Sequence, residues 1–277
     1  MMNRQTIQEA RRWASSFLKK YGREQRVADL MLGHLLELNM SGLILEADQE
    51  LDPTVQETFE TWIREHAETG KPFEHFTQVA AFSGRDFYVD EHVLIPRPET
   101  EELVQMLLGK LNGDETVVDV GTGSGIIAIS LKKELPGLRV LATDLSGDAL
   151  QVAEQNAETH QADITFLKGN FLEPVRNHEI DVVVSNPPYI SEKERETLSD
   201  TVIFDPEIAL FADHDGLFAY EQIIEQAHTL SPKKLAFEIG YQQGEAVSRL
   251  IQKTFPNAKP EVIQDINKKD RIVYAEC

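Results

Sequence analysis

A chain of 277 residues with 27 basic against 47 acidic side chains carries a formal net charge of -20, a balance that repels a phosphate backbone and argues against nucleic acid as a ligand. The single cysteine is Cys277, and the eight histidines are scattered without ligand spacing, which excludes a disulfide framework and a thiolate cluster and leaves no metal site to expect. The opening MMNRQTIQEARRW has no apolar segment, and nowhere do about 18 apolar residues run together, so neither a signal peptide nor a membrane span is expected. A cytoplasmic, monomeric protein is the expectation, and the length suggests one large α/β domain with a smaller companion.

Apolar residues recur at helical spacing at Ile7, Ala10, Trp13, Ala14 and Phe17, and again at Val27, Leu30, Met31, Leu35 and Leu38, predicting two amphipathic helices. A third starts at Asp52-Pro53, an N-cap followed by proline at the first helical position, runs through Val55, Phe59, Trp62 and Ile63, and stops at Gly70. Residues 1–75 thus read as a helical bundle, which either pads the main domain or serves partner binding or lid duty. Residues 76–98 read as a β-hairpin linker, with β-like runs at 78–80, 87–89 and 92–95 and turn residues at Ser83-Gly84 and Asp90-Glu91. The linker ends in Pro96-Arg97-Pro98-Glu99-Thr100-Glu101, where Glu99 and Glu101 complement the dipole of a helix carrying Leu103, Met106 and Leu107.

From residue 99 to 277 strands and helices alternate. Strands are predicted at 116–120, 139–143, 164–167, 181–185 and 234–239, with helices from 126, at 149–158, 217–230 and 245–255 between them. Two closing strands, 261–264 and 271–275, are joined by turn residues 267–270 and must therefore be antiparallel. The fold class is α/β: a doubly wound, Rossmann-like sheet of seven strands, mostly parallel with an antiparallel edge hairpin, preceded by the small bundle.

The first strand leads through Asp119 into Gly121-Thr122-Gly123-Ser124-Gly125 and a helix, the place where an open α/β sheet binds a nucleotide. Ile126 stands where the dinucleotide fingerprint needs its last glycine, which weakens the case for a dehydrogenase. A cofactor without phosphate would suit this turn, with Asp119 accepting from an ammonium group. Asp144 ends the second strand 25 residues further on, where a carboxylate either takes two ribose hydroxyls or caps the next helix. That position fits NAD as well as S-adenosylmethionine. Asn170 and Phe171 follow the third strand, offering an amide and a ring to an adenine, although Phe171 could equally be core.

Asn186-Pro187-Pro188-Tyr189 follows the apolar run Val182 to Ser185. Two prolines force a rigid extended turn, so the Asn186 side-chain oxygen and the Pro187 carbonyl are fixed acceptors that suit a planar NH2 group, with Tyr189 packed against it. An amide nitrogen is a poor nucleophile, so holding its two N–H groups while its lone pair faces an electrophilic methyl is the way to make it react.

Together, Leu94-Ile95-Pro96-Arg97-Pro98-Glu99-Thr100-Glu101, Asp119 to Gly125, Asp144, Asn186 to Tyr189, Asp215-Gly216-Leu217 and Glu238-Ile239-Gly240 resemble the bacterial release factor glutamine methyltransferases over almost the whole chain. Asn-Pro-Pro-Tyr is shared with DNA adenine and rRNA guanine methyltransferases, whereas the Pro-Arg-Pro-Glu-Thr-Glu stretch is the specific signal. The resemblance implies N5-methylation of the glutamine in the Gly-Gly-Gln motif of class I peptide chain release factors, with S-adenosylmethionine as donor and the bundle gripping the factor. It also implies site roles. Asp119, Gly121, Thr122, Gly123, Ser124, Gly125, Asp144, Leu145, Asn170, Phe171 and Asn186 would hold the donor. Asn186, Pro187, Pro188 and Tyr189 would receive the glutamine and carry the reaction, with Arg97 and Glu99 also on the substrate side. Asn170 and Phe171 stand where relatives more often carry an acidic residue and, in some, Trp. Two other readings remain open: a nucleic-acid amino-methyltransferase, which needs a basic face, and a non-catalytic protein that keeps only the fold.

Overall fold

A computed structural model describes residues 4–197 and 202–277. The chain divides into two compact units, one holding residues 4–78 with 202–204 and the other 79–197 with 205–277.

The first unit contains helices α1 (Ile7–Lys20), α2 (Arg26–Leu36), α3 (Met40–Leu45), α4 (Pro53–Thr69) and α5 (Phe73–Thr77). Local chemistry sets their ends. Thr6 accepts from the Glu9 amide while the Glu9 carboxylate takes the Thr6 amide, a reciprocal cap on α1. Asp52 accepts from the Thr54 amide at 2.8 Å ahead of Pro53, and Gly70 ends α4 in the left-handed region. The inner stripes of α1, α2 and α4 close one core through Ala14, Leu18, Met31, Leu32, Phe59 and Ile63. Helices α3 and α5 are too short for apolar periodicity to reveal them; α3 is instead set by Asn39, which accepts from Gly42 N.

The second unit begins with an antiparallel hairpin, β1 (Val79–Phe82) and β2 (Arg85–Tyr88), turning at Ser83-Gly84. The third β-like run expected there, 92–95, forms no strand. Its apolar residues Val93 and Ile95 serve burial against Ala149 and Val152, and the Ile95 amide donates to Asp205 rather than to a ladder partner. Helix α6 (Pro98–Leu108) follows, then β3 (Thr116–Val120), α7 (Ile126–Glu134), β4 (Arg139–Asp144), α8 (Gly147–His160), β5 (Ile164–Lys168) and β6 (Val182–Ser185). The single turn α9 (Glu207–Leu210) and the turn α10 (Asp213–Gly216), with His214 and Asp215 left-handed, precede α11 (Phe218–Leu230). β7 (Lys234–Glu238), α12 (Gly244–Thr254), β8 (Lys259–Gln264) and β9 (Asp270–Glu276) complete the unit.

The seven-stranded sheet runs β5-β4-β3-β6-β7-β9-β8, parallel from β5 to β7 and antiparallel through β9 and β8. Alternation sends Val117, Val182 and Val184 into a core with α6 and α7, while Val118, Val183 and Leu235 enter a core with α11 and α12. Covering both faces explains the unbroken valine run of β6, since each buried valine contributes about 1.5–3 kcal/mol over an exposed one. The chain moves outward from β3 to β5 and returns on the other side of β3 as β6. That reversal opens a crevice at the carboxyl ends of β3 and β6, where ligands of such sheets bind.

Candidate active site

Val120 and Ser185 are register partners, and the Ser185 hydroxyl donates to the Val120 carbonyl at 2.6 Å. The glycine turn after β3 and the Asn186 turn after β6 therefore leave the sheet side by side. A cavity of about 500 Å³ lies over both, within the usual size of a small-molecule site.

The amides of Gly121 and Thr122 donate to the Thr143 carbonyl at 2.8 and 3.0 Å, folding the turn back over β4. Gly121, Gly123 and Gly125 have φ of 70, 55 and 82°, a region costly to side chains. A Cβ on Gly121 or Gly123 would meet nothing within 4 Å, so the turn faces open space, whereas on Gly125 it would press on Ile129 and Ala153. Gly121, Thr122, Gly123 and Ser124 line the cavity; Gly125 does not.

Asp119 is fully buried beneath the turn and does not line the cavity. Its Oδ2 accepts from the Thr122 hydroxyl at 2.6 Å and from the Ala128 amide at 3.3 Å, while Oδ1 has no partner among the described residues. Burial pushes this carboxyl up to about 7 against the opposing pull of Thr122. Asp144 does line the cavity, its Oδ2 accepting from Gly123 N and its Oδ1 from Ser146 N, both at 2.9 Å. Burial raises its pKa and those two amides oppose the rise. Each oxygen keeps a second lone pair for a ligand. The side-chain cap of α8 comes from Ser146, which accepts from Ala149 N, so Asp144 is released from the capping role its position also allowed.

Leu145, 52% exposed, lies on the cavity wall beside Asn170 and Phe171. Phe171 has φ 49°, its carbonyl is held by the Thr143 hydroxyl at 2.8 Å, and its ring lies 6.4 Å from that of Phe218 on the same wall.

On the other side Asn186 and Pro188 line the cavity, while Pro187 is buried and Tyr189 lies behind, packed on the core of α11 and α12. The Asn186 amide donates through Nδ2 to Thr100 Oγ1 at 3.1 Å, and the Thr100 hydroxyl donates to Glu238 Oε2 at 2.7 Å. Neither Asn186 Oδ1 nor the Pro187 carbonyl accepts a hydrogen bond from the described residues. Burial, with the charge of Glu238 added, pushes the Tyr189 hydroxyl up to about 12, so it stays neutral, and Gln243 Nε2 holds the Tyr189 carbonyl at 3.0 Å.

Arg97 lines the cavity with its guanidinium paired to the fully buried carboxylate of Asp205, whereas Glu99, on the first turn of α6, stays off the wall. Sequence reasoning missed Asp205 and did not link Thr100 and Glu238 to Asn186. Asp205 is 108 residues from Arg97, and Glu238 is 138 residues from Thr100, separations that no local pattern encodes. Among the described residues no group of three or more His, Cys, Asp or Glu side chains could hold a metal ion, and no helix is long and apolar enough to cross a membrane.

A doubly wound sheet with a glycine turn after β3 and Asn-Pro-Pro-Tyr after the neighbouring β6 is the architecture of a methyltransferase. Residues 99–230 match the methyltransferase small domain family, and residues 9–77 match the PrmC N-terminal domain. The chain is 42% identical to a release factor glutamine methyltransferase of Bacillus cereus over 98% of its own length and 99% of the relative's. With the proteins of that name from Staphylococcus aureus and Bacillus subtilis it shares 49% identity over 74% of its length (75% of the relative) and 42% over 98% (97% of the relative). It belongs to the release factor glutamine methyltransferase family. Among solved structures, a methyltransferase from Pyrococcus furiosus is similar with a TM-score of 0.53 at 18% identity, over 71% of this chain and 90% of that one. The hMettl16 catalytic domain is similar with a TM-score of 0.53 at 14% identity over 86% of each chain. Both likenesses concern the fold.

Proposed function

We propose that this enzyme transfers a methyl group from S-adenosylmethionine to the side-chain nitrogen of the glutamine in the Gly-Gly-Gln motif of class I peptide chain release factors. The observation that carries this reading is the pair of unengaged acceptors, Asn186 Oδ1 and the Pro187 carbonyl, on a rigid turn beside a glycine-lined cavity. A primary carboxamide has two N–H donors to give them.

The residues present fit the donor. Open space over Gly121 and Gly123 admits a ligand against the backbone, Asp144 offers two oxygens to a ribose diol, and Leu145 and Phe171 offer apolar faces to an adenine. Asp119 acts from beneath by bracing Thr122 rather than by touching the ligand, which alters the role expected for it. When bound, S-adenosylmethionine supplies an electrophilic methyl on a sulfonium sulfur. Asn186 and Pro187 hold the two glutamine N–H groups, so that the nitrogen lone pair is aimed and the positive charge developing on nitrogen meets two oxygen dipoles. Pro188 and the wall of Phe211 and Phe218 exclude water. With the donor bound, transfer would leave S-adenosylhomocysteine as the leaving group, and the methylated nitrogen, held by Asn186 and Pro187, would lose its extra proton to solvent without needing a strong base.

The helical unit would recognise the factor, and Arg97 would contribute at the cavity wall. The net charge of -20 supports a protein rather than a nucleic-acid substrate, and a monomeric enzyme meeting its translation-factor substrate in the cytoplasm completes this reading. Incubation with methyl-labelled donor and purified release factor is expected to label the factor, with the label lost when the Gly-Gly-Gln glutamine is changed to alanine. Transfer to ribosomal RNA instead would favour the nucleic-acid reading.

A further inference from the structure

We propose that Thr100 and Glu238 are positioning residues that decide which way round the Asn186 carboxamide faces the cavity; the inference rests on the methyl-transfer reading above. The two ends of a carboxamide are nearly isosteric, and turning it over replaces the acceptor by a donor. An Asn186 presenting its NH2 group would oppose an incoming NH2 group. Some partner must therefore fix its orientation.

Thr100 on the first turn of α6 and Glu238 at the end of β7 are each 1% exposed. An ionised Glu238 can only accept, so it takes the one hydroxyl proton of Thr100 at 2.7 Å. The Thr100 oxygen is then left with lone pairs alone, and only the Nδ2 end of Asn186 can approach it at 3.1 Å. Oδ1 is thereby turned to the unengaged side. Glu238 is itself held in place, its carbonyl accepting from the buried Tyr220 hydroxyl at 2.8 Å and its backbone registering with Ile272 of β9. Three elements distant in sequence, β6, α6 and β7, meet in a directed chain of hydrogen bonds whose polarity runs from the amide to the carboxylate.

A tie that merely fastened α6 to the sheet would make the same contacts, so the test must read polarity. Thr100→Ser keeps the hydroxyl, and Thr100→Val keeps the shape without it. With release factor as acceptor, Thr100→Val is expected to lower kcat about tenfold or more, the effect of one directed buried hydrogen bond, with the donor Kd unchanged. Thr100→Ser should stay within about twofold of the parent, and Thr100→Val should add less than about twofold to Asn186→Ala, because residues acting through one group are not additive. Glu238→Leu, a second variant that leaves the Thr100 proton with no carboxylate to take it, should resemble Thr100→Val. An unchanged kcat in Thr100→Val, or a loss carried in full onto Asn186→Ala, would overturn the proposal. A readout without substrate separates this from the reading it rests on: the Asn186 side-chain NH2 resonances, assigned by their loss in Asn186→Ala, should show one protected proton that exchanges freely in Thr100→Val. Protection lost in Thr100→Val while the parent fails to label release factor would sink the substrate reading and keep the relay; protection unaffected by Thr100→Val would sink the relay.

Discussion

The hydroxyl of Ser185 donates to the carbonyl of Val120 at 2.6 Å, joining the last residues of β6 and β3 where both are buried. Ser185→Ala removes the donor and leaves a buried acceptor without it. A loss of about 1–3 kcal/mol is expected, read as a lower urea midpoint at unchanged m value. Donor affinity should fall with it, since the cofactor turn and the Asn186 turn both start from these strand ends.

Asn186→Ala removes a proposed acceptor while leaving the glycine turn and Asp144 untouched. Donor binding measured by calorimetry is expected to stay within about threefold, and single-turnover methyl transfer to drop by about 10²–10³, the usual effect of deleting one preorganised partner of transition-state charge. Unchanged turnover would show that the amide does not hold the reacting group.

Asp144→Ala should have the opposite profile. It deletes the acceptor for Gly123 N and Ser146 N together with the two oxygens offered to a ribose. Donor Kd is expected to rise by about 10–100-fold, corresponding to about 1.4–2.8 kcal/mol, with kcat at saturating donor largely retained.

Gly216 has φ 82°, and a Cβ there would lie 2.1 Å from the Tyr189 carbonyl and 2.7 Å from Gln243 Nε2. Gly216→Ala therefore pushes on the bond that anchors the Asn-Pro-Pro-Tyr turn at its far end. Beyond about 1–2 kcal/mol for the left-handed backbone, the displaced turn should raise the KM for the protein acceptor more than the KM for the donor. Thermal unfolding and a two-substrate kinetic analysis check both parts.

Burial pushes Glu238 up to about 7, with Glu99 adding to the rise and Thr100, Arg271 and Arg97 opposing it, and burial lifts Asp119 to about 7 as well. In the unfolded chain these carboxyls ionise near 4.5 and 3.8. Between those values and about 7 the folded state keeps protons that the unfolded chain has lost, so stability falls as pH rises through this window and levels off above it. The penalty is about 3–4 kcal/mol per group. Glu238→Gln should shrink the stability difference between about pH 5 and about pH 8 measured by urea denaturation. Tyr189 and Tyr220, which also face Glu238, stay neutral throughout. The same titration should shape turnover. A protonated Glu238 can donate to Thr100, freeing the Thr100 proton for Asn186 Oδ1, so kcat is expected to rise with pH through about 7, and Glu238→Gln to abolish that limb.

Helices α1, α2 and α4 were legible because their signals are local: Asp52-Pro53 and Gly70 bound α4, and Ile7, Ala10 and Ala14 repeat at helical spacing. The seven strands were legible because each is a short run of apolar or β-branched residues set between turn residues or helical stretches, most plainly the valines of β3 and β6. The run 92–95 misled because burial against α8 and pairing in a strand select the same apolar residues. Helices α3 and α5 escaped because each spans less than two turns.

By itself the sequence determined the fold class, the glycine turn, Asp144 and the Asn-Pro-Pro-Tyr turn, since backbone restriction by glycine and proline acts within a few residues. Only the tertiary structure decided that Asp119 braces the turn from below, that Ser146 rather than Asp144 caps α8, that Arg97 is held by Asp205, and that Thr100 and Glu238 meet at Asn186. Those relationships depend on which strands lie side by side and on what is buried with what. Hydrogen-bond direction in a dry interior follows from the full set of partners converging from distant segments, and no stretch of chain contains that set.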